Sequence, residues 1–212
     1  ALSSAASDVY KRQMWFPERG LHVSWSFWLL ILLAAIVSPL TIVLSILLAA
    51  ALHECGHFLA LRAFHVPIEG LRLSAFGAVL HARGAQRLSY GRELVVTLAG
   101  CGMNLVCGVL TAWFSLHYVW VEGFVFAGAH ILLCAFNLLP IPPLDGSSII
   151  VPFLKGKALA NYYRLQQYAM PILILVLYLL PMWTGIDVIG RYFDVTVYPL
   201  AEQLLNFAIA AI

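Results

Sequence analysis

Charge is scarce in this sequence. Asp, Glu, Lys and Arg supply only 10% of its 212 residues, against roughly a quarter in ordinary soluble domains. A water-surrounded globule is therefore excluded. The cationic surplus is equally small: a formal charge of +2 offers no basic surface for nucleic acid, and no such partner is expected. Cysteine is confined to Cys55, Cys101, Cys107 and Cys134, all in apolar stretches. None has CxxC or zinc-knuckle spacing, so they read as small buried residues rather than disulfides. No internal repeat or low-complexity tract occurs, and no extramembrane stretch is long enough for a second folded domain. What fills the chain instead is hydrocarbon. Apolar residues reach 62% and the mean hydropathy is +0.91, the composition of a chain that lives in a bilayer.

Residues 1–13, ALSSAASDVYKRQ, differ from the rest: small and polar, with no apolar core that would make a signal peptide. They resemble translated adapter sequence, and the natural protein is expected to start at Met14, with a single domain over 14–212. From Val23 to Leu61 the chain is almost continuously apolar. As one helix that stretch would run about 58 Å, nearly twice the ~30 Å hydrocarbon core. It must fold back, and Ser38-Pro39 is the expected place, a serine N-cap before a proline at the first helical position. Further spans are expected at Leu94–Leu116, Gly123–Leu139 and Tyr168–Trp183. A weaker sixth, Val195–Ile212, is interrupted by Glu202 and Gln203, and an interfacial position is its alternative.

Lysine and arginine orient these spans. With the N-terminus inside, the cytosolic segments hold Arg19, Arg62, Arg72, Arg83, Arg87, Arg92, Lys155, Lys157 and Arg164, besides Lys11 and Arg12 of the leader. The outer segments hold only Arg191. The positive-inside rule then places both ends in the cytosol. The expected fold is an all-α polytopic membrane protein of about six transmembrane helices, multi-pass, with a cytosolic N-terminus.

One span carries side chains that hydrocarbon penalises. In LLAAALHECGHFLALRAF, Leu47 to Phe64, two histidines flank Glu54 as HExxH. Positions i and i+4 stack His53 and His57 on one helix face, where both reach a single metal ion. Glu54 then stands beside that ion, able to take a proton from a bound water. Counted from Pro39, His53 lies about 21 Å and His57 about 27 Å along the helix, which sets the site near the cytosolic side. The alternative is a chance pattern of histidines hydrogen-bonded to neighbouring helices, and ionisable groups at this depth weigh against it. A catalytic zinc needs a third protein ligand and an open position. NLLPIPPLDGSS, Asn137 to Ser148, supplies a candidate. Pro140, Pro142 and Pro143 forbid a regular helix there, and Asp145 follows with Gly146 allowing a tight turn. Irregular backbone at this depth is tolerated only against protein or a wet cavity.

Together these motifs resemble the site-2 proteases, intramembrane zinc metalloproteases. The resemblance rests on His53-Glu54-Cys55-Gly56-His57 and on the segment from Asn137 to Asp145-Gly146. AFGAVL from Ala75 and ELVVTLAGCGMN from Glu93 to Asn104 add support. It spans His22 to Ile150 and is most like the small bacterial sporulation type, stage IV sporulation protein FB, which has a six-span core and no PDZ domain. It implies one zinc per chain held by His53, His57 and Asp145, with Glu54 as general base. It assigns Asn137 to the substrate or the developing oxyanion, while helix packing through the amide stays open as its alternative. It further implies a bacterial cell membrane, a single-span or membrane-associated protein substrate such as a sigma-factor precursor or an anti-sigma factor, and regulatory membrane proteins as partners. Two departures stand out: Ala99-Gly100-Cys101 where the family has Ala-Gly-Pro, and Asp145-Gly146-Ser147 where it often has Asp-Gly-Gly. Neither removes a ligand.

Between the second and third spans, Leu71, Leu73 and Ala75 alternate with Arg72, Ser74 and Phe76, the period of a strand, with a turn expected at Phe76-Gly77. The resemblance implies a short membrane-associated β-hairpin, whose edge could hold an unwound substrate. Its alternative is an amphipathic loop lying on acidic lipid through Arg72, Arg83 and Arg87. His22, His65, His81, His117 and His130 read as structural or interfacial. Two other classes stay open: a catalytically silent scaffold that keeps the motif, and a metal transporter, which would need further ligands towards the outside. The orientation has a direct test. A topology reporter fused after Val119 should read as extracytoplasmic, and a cytosolic signal would overturn the span order.

Overall fold

The computed structural model describes residues 20–75, 77–85, 88–166 and 168–210. The leader at 1–13, Met14, Phe76 and Arg87 lie outside them. The chain opens with a short strand, β1 (Gly20–Val23), and helix α1 (Trp25–Val37), then folds back into α2 (Leu40–Ala63). Strands β2 (Ile68–Ser74) and β3 (Gly77–Ala82) follow, then α3 (Tyr90–His117) and α4 (Val121–Asn137). A short α5 (Gly146–Ile150) leads through a 3₁₀ turn to α6 (Lys157–Gln166). Helix α7 (Ala169–Ile174), a π-turn over Leu175–Leu179 and α8 (Leu180–Thr184) form one broken rod before α9 (Val188–Ala210).

The break at Ser38-Pro39 is where the sequence puts it, with the roles moved by one residue. Ser38 closes α1, its N–H reaching Ala34 O, and Pro39 is the N-cap of α2 instead of its first helical residue. The first apolar segment, Val23–Leu61, is helical over nearly its whole length. Just ahead of it, Gly20–Val23 pair as β1 with β2 in parallel, Gly20 opposite Gly70 and Val23 opposite Leu73. The expected hairpin is present, antiparallel, with Ser74 opposite Gly77 and the reversal between them, Gly77 at φ +113°. It is thus two strands of a three-stranded sheet in the order β1-β2-β3. Local alternation reveals a hairpin because its partners are adjacent in sequence. It cannot reveal β1, whose partner is some 50 residues away. The last helix begins at Val188, ahead of the expected Val195, and carries Pro199 within it.

Helices α2, α3 and α4 pack mutually and form the centre. Their shared interior is rich in small side chains, with Ala49, Cys101, Ala127 and Cys134 buried beside Val43, Leu61 and Ile131. The large apolar residues point the other way: Trp28, Leu32, Leu44, Val106 and Leu110 are exposed. Small residues inside let helix backbones approach closely, the way helices pack in a bilayer. A Cβ on Gly56 would strike the backbone of Ala99, so the contact of α2 with α3 depends on that glycine. Hydroxyls in the apolar helices bond back to their own chain: Ser45 to Thr41 O at 2.6 Å, and Thr111 to Cys107 O at 2.7 Å. Only Cys101 and Cys134 are fully buried as expected. Cys55 is exposed on α2, Cys107 is half-buried, and all are free thiols.

Candidate metal centre

The HExxH helix does what its spacing dictates. His53 and His57, one turn apart on α2, turn their Nε2 atoms to the same point, 3.0 Å from each other. Asp145 enters from a loop 92 residues further on, and its Oδ2 lies 2.9 Å from His53 Nε2 and 3.0 Å from His57 Nε2. Among the described residues these three form the one His/Cys/Asp/Glu group placed to hold a metal ion. The donor set, two imidazole nitrogens and one carboxylate oxygen, fits zinc. Tetrahedral zinc with ligands at ~2.0–2.1 Å spaces its donors by about 3.3 Å, so the observed triangle needs to open by only a few tenths of an ångström.

The wall behind the imidazoles is α3, and it meets them residue for residue. Val96, Gly100 and Asn104 recur every fourth position and so share one face of that helix. His57 Nδ1–H donates to Val96 O at 2.8 Å. A carbonyl can only accept, so this bond leaves the Nε2 lone pair of His57 free for a metal. Asn104 Nδ2 lies 3.5 Å from His53 Nδ1, and Asn104 Oδ1 lies 3.1 Å from His130 Nδ1 on α4. Between them, Gly100 leaves the space that both rings occupy: a Cβ there would meet His57 Nε2, and His53 Cε1 at 2.8 Å.

The carboxylate is held by a braced loop. Leu139 and Leu144 flank its prolines and pack with Leu173 of α7 in one buried cluster, against which Phe136 and Tyr192 also lie. Tyr192 donates its hydroxyl to Ala135 O at 3.2 Å, tying α9 to the end of α4. A Cβ on Gly146 would strike Leu138 O, so the loop closes on itself directly behind Asp145. Ser147, one of the departures from the family pattern, is buried and lies next to Tyr162 of α6.

Glu54 is half-buried and close enough to His53, His57 and Asp145 to interact with each electrostatically. Among the described residues its carboxylate has no hydrogen-bond partner. Asn137, at the end of α4, donates its Nδ2 to Leu133 O at 3.0 Å. No hydrogen bond among the described residues joins it to the histidines and Asp145. The residues that sequence reasoning passed over are Asn104 and His130. Asn104 stood only inside a supporting segment, and His130 read as structural or interfacial. The available signal was polar side chains within apolar spans, on two different helices.

No family model matches the chain. It is 29% identical over 119 residues to a Bacillus subtilis (strain 168) protein described as "Putative zinc metalloprotease YwhC", an alignment covering 52% of this chain and 51% of that one. The chain thus spans about half the length of the curated relative it matches. Its fold is similar to that of the solved site-2 protease from Methanocaldococcus jannaschii, with a TM-score of 0.62 at 20% identity, covering 91% of this chain and 94% of that one. The likeness to the site-2 proteases therefore holds in fold as well as in motif. Helices α2 and α3 are long and apolar enough to cross a membrane, in keeping with a chain that is 62% apolar.

The glycine wall yields a sharp expectation. Gly100→Ala should overpack the site by roughly 1–3 kcal/mol and weaken zinc binding accordingly, although alanine is the better helix former. Gly102→Ala, where an added Cβ meets nothing within 4 Å, should bind zinc as wild type does. Zinc affinity of the two purified variants is the check, and equal affinities would remove Gly100 from the site.

Proposed function

Taking the likeness to the site-2 proteases as its premise, we propose that this chain is an intramembrane zinc metalloprotease that hydrolyses a peptide bond within or next to a membrane segment of a protein substrate. The observation that carries the reading is the convergence of two imidazole nitrogens and one carboxylate oxygen to within 3.0 Å, on a helix that also carries Glu54. His53, His57 and Asp145 are the proposed ligands of one zinc per chain. Bound there, zinc supplies Lewis acidity to an attacking water and to the peptide carbonyl. Glu54 takes the proton of that water, as the general base. Asn137 spends one amide hydrogen on Leu133 O and has a second to offer the oxyanion that develops on the carbonyl.

A protease needs its substrate extended. Strand β2 is paired on both sides, which leaves β1 and β3 as the edges of the sheet, and the proposed docking edge for an unwound segment is that of β3, through main-chain hydrogen bonds. The proposed architecture has six spans, both ends in the cytosol of a bacterial cell and the active site near the cytosolic face. It rests on the nine-to-one excess of Lys and Arg in the inner segments of 14–212. The proposed substrate is a single-span or membrane-associated protein, a sigma-factor precursor or an anti-sigma factor by the sporulation-type resemblance, with regulatory membrane proteins as further partners. A transporter would need further ligands on the way out. His130, the candidate for one, is bonded instead to Asn104.

Zinc per chain in detergent-purified protein is the first test. Wild type should hold about one zinc and Asp145→Ala much less, because the site loses its only anionic ligand. Retention of zinc by Asp145→Ala would mean another third ligand. Glu54→Gln should keep the metal yet cleave a co-reconstituted single-span test protein roughly 10²–10⁴-fold more slowly. Equal cleavage by that variant would refute the role of Glu54.

A further inference from the structure

Behind His53, away from the metal-facing edge, stand two polar side chains that the hydrolysis above does not use. Asn104 on α3 is 0% exposed and His130 on α4 is 2% exposed. Asn104 lies between the two rings, 3.5 Å from His53 Nδ1 and 3.1 Å from His130 Nδ1. The three side chains form one line across α2, α3 and α4. A buried amide left unpaired costs roughly 1–3 kcal/mol, so this line must be satisfied as a unit or not at all.

The reason for such a unit lies in the two nitrogens of His53. A neutral imidazole carries one proton, and the nitrogen that binds a metal must be the other one. Nε2 faces Asp145 and His57. Metal binding there puts the proton on Nδ1, and a buried Nδ1–H needs an acceptor. His57 has one in Val96 O. For His53 the group in place is the carboxamide of Asn104. With its nitrogen towards His53, the amide donates, and the ring proton sits on Nε2 against Asp145. A half-turn of the carboxamide exchanges oxygen and nitrogen with almost no change in shape. The oxygen then accepts from His53 Nδ1–H, and the nitrogen donates to Nδ1 of His130. His130 permits both arrangements because a neutral imidazole can accept or donate at that atom, according to tautomer.

We propose that Asn104 and His130 are positioning residues that hold His53 in its metal-binding tautomer, Asn104 by accepting from Nδ1–H and His130 by taking up the amide hydrogen that this orientation turns away. The inference rests on the zinc reading of His53, His57 and Asp145.

The test is zinc affinity by competition with a chromophoric chelator, on the full chain in detergent, with Co(II) absorption as a reporter of ligand geometry. Asn104→Leu keeps the size and removes the acceptor, and it should weaken zinc roughly 10–100-fold and change the Co(II) spectrum. Asn104→Asp keeps an acceptor oxygen and should stay within about threefold of wild type, as carboxylate–histidine–zinc triads do. A role in packing alone gives the reverse order, since leucine fills the space and aspartate brings a charge between helices. That reverse order, or two variants equal to wild type, overturns the proposal. His130→Phe should cost several-fold in the wild-type background and nothing more in Asn104→Leu; fully additive losses overturn the link between the two residues. Should Asn104→Leu fail to elute as a folded monodisperse species, Asn104→Asp and His130→Phe decide: zinc kept by the first and weakened by the second supports the proposal, and any other pairing overturns it. A wild type that binds neither zinc nor Co(II) refutes the zinc reading itself, whereas wild-type binding unaffected by Asn104→Leu refutes only this inference.

Discussion

The structure is organised around keeping two imidazoles and a carboxylate together. Asp145 Oδ2 is within 3.0 Å of both Nε2 atoms. The two rings are largely buried and the carboxylate partly so, and the desolvation of a charge is repaid only by close and well-oriented partners. That demand reaches outward. The loop that delivers Asp145 must leave helical geometry, which its prolines enforce, and must still be rigid, which Leu139 and Leu144 achieve by packing on Leu173. The rings need a flat wall behind them, which Gly100 provides. The helices that carry ring and wall must approach closely, which Gly56 permits.

These local demands explain why the helical core looks inverted beside that of a soluble domain. Small and polar residues occupy the inside and large apolar ones the outside. In lipid the hydrophobic effect does not bring helices together, so packing density and interhelical hydrogen bonds must do it. The same close approach that small side chains allow between α2 and α3 brings the Val96 carbonyl to 2.8 Å from His57 Nδ1. The cohesion of the bundle and the geometry of the site are therefore one property. Bulk added at Gly56 or Gly100 would disturb both together.

What the sequence made legible was whatever is encoded within a few residues. The HExxH pair needs only a helix to become a half-site, and the run of prolines before Asp145-Gly146 announces an irregular loop. The hairpin could be read from alternation because β2 and β3 are consecutive. What stayed hidden was non-local. Strand β1 lies just ahead of the first apolar run without any local strand signal, and only its pairing with Gly70–Leu73 makes it a strand. The exposure of Cys55 follows from the direction in which α2 faces its neighbours, which no composition argument contains. His130 and Asn104 are each an ordinary polar residue in an apolar helix, and their relation to His53 exists only once three helices are assembled.

One part of that hidden relation has a sequence signature after all. Helix α2 offers His53 and His57 at a spacing of four, and α3 answers with Asn104, Gly100 and Val96 at the same spacing, in the opposite chain direction. Each ring is met at its Nδ1 edge by one residue of α3, and both are met at the flank by the glycine between. The two supports differ in kind. Val96 presents a backbone carbonyl, which accepts and does nothing else, so His57 is fixed in one tautomer whatever the state of the site. Asn104 presents an amide that can accept or donate, so His53 is the imidazole whose proton can move between its nitrogens. A site built this way has one rigid imidazole and one adaptable imidazole. The adaptable one is the ring whose support continues, through Asn104, to a third helix.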